Sequence, residues 1–156
     1  MHDYKVISNS SPIIILSNIG RLELLEKVYG NVIIPQGVNE EVFGLNNVKN
    51  IEWLKVMQIP NVNLQQYLGP LLHKGEIEVI VLAKEIKAEL AIIDDYLARK
   101  YAHYLGLTIT GTLGVIVKAK QKGLLKNVKP VIDDMIEKGF WIDNKLYSTV
   151  LKNAGE

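Results

Sequence analysis

At 156 residues, with 48% apolar and 22% charged side chains, the chain has room for one domain with a full core, and neither two domains nor wholesale disorder fits those figures. Its 18 Lys and Arg almost balance its 17 Asp and Glu, so a net charge of +1 leaves polyanion contact to a local patch. The lack of cysteine excludes a disulfide framework, a thiolate zinc site and a cysteine nucleophile.

Tyr4 to Ser8 reads as a short strand, ended by Asn9-Ser10-Ser11-Pro12, where a cap residue and an early proline signal a helix. Ile13 to Leu16 continue as a buried helix. Gly20 separates it from a second helix over Arg21 to Val28. Asn31 to Ile34 is another short strand, and Pro35 opens a helix to about Phe43. Asn46-Asn47 signals a loop, Leu54 to Ile59 a strand stopped by Pro60, and Gly69-Pro70 a break after the ambiguous Asn61 to Leu68. An apolar helix follows from Lys74 to about Ile86, then a strand over Leu90 to Ile93 and a helix over Asp95 to Leu105. Leu107 to Thr110 is a strand and Thr112 to Gly123 a helix. The chain closes with helices over Lys129 to Lys138 and Asp143 to Ala154, around an extended piece at Phe140 to Ile142.

Strands alternating with helices through short loops predict a parallel sheet covered on both faces. The apolar runs, such as Val79 to Ala83, are too short to span a bilayer, and the N-terminus has no basic-then-apolar leader. A soluble, cytoplasmic protein is expected, with one domain over 1–156 and the segment 126–156 as a helical appendage. Ile132, Met135 and Ile136, with Leu146 and Val150, give that segment faces suited to packing or to assembly as a homodimer.

In a parallel sheet the ligand site lies beyond the C-terminal strand ends. Asn9-Ser10, Asp94-Asp95 and Thr110-Gly111-Thr112 follow predicted strands there. Each could be no more than a helix cap. Two adjacent aspartates exceed what a cap needs, however, and their repulsion asks for a cation. Glu41 stands on the apolar stripe of Val38 and Val42, where a carboxylate is costly unless it is paired, binds metal or reaches past the helix edge to solvent. Glu76 aligns with Ile80 and Ala83 in the first turn of its helix, where the helix dipole also favours it. Glu78 pairs at i,i+4 with Lys74 and is assigned to the solvent face. His2, His73 and His103 form no ligand spacing, and Gly111-Thr112-Leu113-Gly114 fits neither a P-loop nor a dinucleotide loop. The basic run Lys118, Lys120, Lys122, Lys126 and Lys129 reads as a solvated face or as a strip for a phosphate backbone.

Several of these pieces stand in a characteristic order: Asn9 to Ile13, Gly20 to Leu25, Ile34-Pro35 with Val38 and Glu41, Gly75 to Ile80, Ile93-Asp94-Asp95 with Ala98-Arg99, and Gly111 to Gly114. Together they resemble the PIN-domain superfamily almost end to end, in its branch of short prokaryotic proteins similar to the ribonuclease toxins of toxin–antitoxin pairs. The resemblance implies a three-layer α/β/α fold with a central, mainly parallel sheet. It also implies an acidic cluster of Glu41, Glu76 and Asp94 or Asp95 that holds Mg2+ or Mn2+ and cleaves RNA, with an antitoxin protein as partner. Asn9 falls where the family usually has its first Asp, and Thr112 matches a small polar position near the cluster. An amide offers a cation its oxygen without a charge. Asn9 therefore also suits a non-catalytic module that binds nucleic acid or protein. Ser10, Thr112, Lys118 and Lys122 are the expected nucleic-acid contacts.

Overall fold

The computed structural model describes residues 4–44, 51–59 and 72–156. The readings at Asn46-Asn47, Pro60, Asn61 to Leu68 and Gly69-Pro70 lie outside the described residues. Five strands, β1 (Val6–Ser8), β2 (Val32–Pro35), β3 (Leu54–Met57), β4 (Leu90–Ile92) and β5 (Ile109–Thr110), form one sheet in the order β3-β2-β1-β4-β5. Every pairing is parallel. Eight helices flank the sheet among the described residues: α1 (Ser10–Asn18), α2 (Leu24–Tyr29), α3 (Gln36–Phe43), α4 (Lys74–Glu85), α5 (Tyr96–Tyr104), α6 (Thr112–Gln121), α7 (Lys129–Glu137) and α8 (Asn144–Asn153). This is the expected α/β fold of three layers.

The inner strands are short apolar runs because helices cover both their faces. All three residues of β1 and all three of β4 are buried. At the edge, β3 buries Leu54 and leaves Lys55, Val56 and Met57 exposed. The register sets Ser8 against Ile92 and Ile92 against Thr110, so β1, β4 and β5 end level with one another. The chain leaves β1 for β2 and β3 on one side and later crosses to β4 and β5 on the other. The crevice beyond the ends of β1 and β4 is therefore the topological switch point, where open parallel sheets bind ligands.

Helix ends follow a common device. After α1, Gly20 at φ 70° lets its own N–H reach Ser17 O, while Arg21 N–H reaches Leu16 O at 2.8 Å. Arg21 is thus still closing α1, which is why α2 begins at Leu24 and not at Arg21. The same closure ends α4, but there the left-handed residue is Lys87, at φ 53°. Its neighbour Ala88 donates to Ala83 O at 2.9 Å.

The segment after Lys126 contributes Val128, Val131, Ile132, Met135 and Val150 to the same core as the sheet. Three hydrogen bonds hold it through Glu156, whose carboxylate accepts from Val128 N (2.7 Å), Lys129 N (3.1 Å) and Lys120 Nζ (2.8 Å). Of the apolar residues expected to serve assembly, Ile132, Met135 and Val150 face inward, while Ile136 and Leu146 stay exposed. Phe140 to Ile142 form no strand.

Candidate functional site

At the end of β1 the chain turns directly into α1. Asn9 N–H still donates to Ile92 O (2.9 Å), extending the ladder by one bond, and its side-chain oxygen accepts from Ser10 N at 2.9 Å. Asn9 is therefore the N-cap of α1, and it is buried. Ser10, also buried, donates its hydroxyl to Glu41 Oε2 at 2.6 Å.

Across the crevice, the two aspartates after β4 divide their work. Asp95 caps α5 by accepting from Ala98 N at 2.9 Å, and it is exposed. Asp94 reaches the next strand end, where Oδ1 accepts from Thr112 N (2.8 Å) and Oδ2 from Thr112 Oγ1 (2.5 Å). It thereby ties β4 to the start of α6. The hydroxyl of Thr112 is wholly buried. Ser10 and Thr112 were expected to touch nucleic acid, but both are buried and spend their hydroxyls on carboxylates.

The third side comes from α3 and α4, which pack on each other. Glu41 is exposed, not buried on its apolar stripe; it leans over the helix edge towards Ser10. Its Oε2 would lie 3.2 Å from a Cβ added at Gly75, so a side chain there would crowd it. The adjoining Glu76 is only 9% exposed, and its Oε1 accepts from His73 N (2.9 Å), the returning arm of a capping box. Burial pushes the Glu76 carboxyl above its ordinary value, the His73 N–H pulls it down in part, and the Asp95 carboxylate within hydrogen-bonding reach pushes it up again. Glu76 and Asp95 therefore form an acidic pair for which one proton, or one cation, relieves the repulsion.

Glu78 corrects the sequence reading. It is 5% exposed and accepts from Gly37 N (2.8 Å), pinning α4 to the first turn of α3. Burial raises its carboxyl above the ordinary value, against the pull of that N–H and of Lys74. Lys118 and Lys122 are not brought to the crevice. Lys118 lies over the Tyr29 ring (5.7 Å to its centre) and Lys122 donates to Val28 O (2.6 Å), both at the end of α2.

A shallow pocket of about 360 Å³ opens over Asp94 and Asp95, with Ser11 and Ile15 on one wall and Lys138 to Trp141 on another. Sequence reasoning missed that second wall. It also gave no role to Arg99, which donates to Ile93 O (2.8 Å), or to Gly111, where a Cβ would meet both Asp94 and Arg99. The glycine directly after β5 was the available signal, since a strand end with no side chain marks a close approach.

A profile of the DUF3368 family of PIN domains matches residues 5–156. This chain belongs to the PIN-domain family. No curated protein matches it. PIN domains generally include metal-dependent nucleases and typically use divalent metals, so membership supports nuclease chemistry and nucleic-acid contact at that level. Among the described residues no helix is long and apolar enough to cross a membrane.

The donor set of this PIN domain is small. Among the described residues no three His, Asp or Glu side chains gather closely enough to enclose a metal. Asp94 has both oxygens engaged by Thr112, while Glu76 and Asp95 each have one oxygen engaged by a backbone N–H. Mg2+ is commonly held by one or two carboxylates, keeps several waters and takes the rest of its shell from substrate phosphate. The Glu76–Asp95 pair fits such an ion, with Glu41 at the rim.

Proposed function

We propose that this PIN domain is a metal-dependent endoribonuclease. The observation that supports the reading is the buried Glu76 carboxyl, raised by burial and by Asp95, at the switch point of a parallel sheet. Glu76 and Asp95 would hold Mg2+ or Mn2+ directly, with Glu41 at the rim on the Glu76 side. When bound, such an ion activates water and neutralises charge building on the phosphate. Asp94 holds Thr112 and with it the start of α6, fixing the floor of the crevice. Asn9 holds α1 so that Ser10 can set the Glu41 carboxylate. Asn9 and Asp94 are thus positioning residues, acting through the groups they hold.

The test is cleavage of single-stranded RNA by the purified chain with Mg2+ or Mn2+. Wild type should cut, and the double variant Glu76→Gln/Asp95→Asn should not. Equal cleavage by the two refutes the assignment.

A second reading has its own observations. Asn9 brings no charge and both Asp94 oxygens already accept from Thr112, which favours a module that binds nucleic acid or protein without cutting. Calorimetric titration with Mn2+ separates the readings, since a binding module takes up no metal. As finer assignments we propose a cytoplasmic toxin of a toxin–antitoxin pair, one domain over 1–156, with an antitoxin and a second copy of the chain as protein partners. Exposed Tyr96 and Tyr104 on α5 supply apolar surface for such contacts, and light scattering with and without partner tests them.

A further inference from the structure

The acidic crevice has one wall that the cleavage chemistry leaves unused. Lys138, Gly139, Phe140 and Trp141, from the turn between α7 and α8, stand beside Asp94 and Asp95 in the same pocket. The backbone of this turn is fixed. Gly139 takes φ 101°, Phe140 N–H closes α7 onto Met135 O at 2.9 Å, and the Phe140 ring packs on the core. The next residue, Trp141, leaves its side chain 81% exposed. An indole is the largest apolar group a chain can display, and leaving it in water forgoes a favourable burial. Because the core is filled by other residues, the fold does not need this one.

We propose that Trp141 and Lys138 form a subsite for one unpaired nucleotide beside the acidic pair, with the indole face stacking the base and the ammonium meeting an adjoining phosphate. The inference rests on the nucleic-acid reading above. Three features of the pocket favour that occupant. An aromatic face on a fixed backbone is what sequence-tolerant base stacking uses. A lysine at its side suits a phosphate. The aspartates opposite suit a charged strand bridged by a cation and disfavour an apolar peptide, since protein interfaces exclude charge from their centres. A base within a duplex has no open face, so the subsite selects single strands.

The experiment uses the full chain carrying Trp53→Phe, so that Trp141 is the sole indole, with circular dichroism to verify the fold. The probe is a short 2′-O-methyl oligoribonucleotide, which resists cleavage, titrated with Mg2+ present. We expect quenching of Trp141 fluorescence by the single strand, little by its duplex, and less when the central nucleotide is abasic. Trp141→Ala should weaken binding about 5- to 150-fold, the range stacking supports, with Trp141→Phe recovering much of it. Lys138→Ala should lower the salt dependence by about one phosphate contact. Binding with unchanged indole fluorescence and unchanged affinity in Trp141→Ala overturns the subsite, and the nuclease reading then stands or falls on its own cleavage test. A chain that neither binds the probe nor cleaves RNA overturns both.

Discussion

Gly37 puts two opposing effects in direct competition. A Cβ added there would sit 1.9 Å from Glu78 Oε2 and 2.8 Å from its Cδ. Gly37→Ala therefore expels the Glu78 carboxylate from its hydrogen bond with the residue 37 N–H, and Glu78 is a buried residue. A lost hydrogen bond to a charged group costs about 1.5–3 kcal/mol. Against this, alanine in place of glycine favours a helix by about 1 kcal/mol. The net expectation is a loss of about 0.5–2 kcal/mol, or about 2–4 °C in Tm per kcal/mol for a chain of this size. In a Glu78→Ala background the obstacle is gone, and the same substitution should stabilise by up to about 1 kcal/mol. Urea unfolding of the four proteins measures both steps. If Gly37→Ala has the same sign and size in both backgrounds, the account of how α3 is locked to α4 is wrong.

Three further outcomes are expected. Glu76 is raised chiefly by burial, so between its ordinary carboxyl value and the raised one the folded state holds more protons than the unfolded, and stability falls as pH rises through that window. Without divalent metal, Glu76→Gln should be the more stable protein at neutral pH, with the gap closing under acid; thermal melts across that range that show no convergence would contradict it. Thr112→Val removes the hydroxyl from Asp94 Oδ2 at near-constant volume and should cost about 1.5–3 kcal/mol in urea, whereas Thr112→Ser should cost clearly less. Lys87→Gly relieves a left-handed side-chain residue at φ 53° and should raise the urea midpoint by up to about 1 kcal/mol of stability; a lowered midpoint would show that the Lys87 side chain matters more than its backbone.

Much of this architecture was legible because the local signals were consistent. Asn9, Asp95 and Asp143 announce helix starts and do cap α1, α5 and α8. Gly20 announces the end of α1 and does take a positive φ there, and the short apolar strands stand between the helices. The site was legible as a place, the C-terminal strand ends, more than as a set of contacts. Glu78 was misassigned because i,i+4 reasoning presumes a wet face, whereas α4 is buried from Gly75 through Ile80. The depth of that burial depends on α3, and the partner of Glu78 is a backbone N–H with no signature of its own. Glu41 belongs to the stripe by angle but sits far enough round the helix to meet Ser10. Lys118 and Lys122 were read as one strip by spacing, yet the end of α2 lies against that strip and takes both. In each case the deciding group is dozens of residues away, a main-chain N–H or C=O, a ring face or, for Glu41, a serine hydroxyl, which side-chain patterning does not encode.

The order in which the strands enter the sheet also sets a timetable. During synthesis Asn9, Glu41 and Glu76 leave the ribosome before β4 exists, and Asp95 follows as the last acid of the crevice. Until β4 takes its place beside β1, nothing stands opposite Glu76. On the proposed assignment a half-made chain surrounded by ribosomal RNA lacks one of the two metal-holding acids, and the capacity arrives only when the second half of the sheet closes.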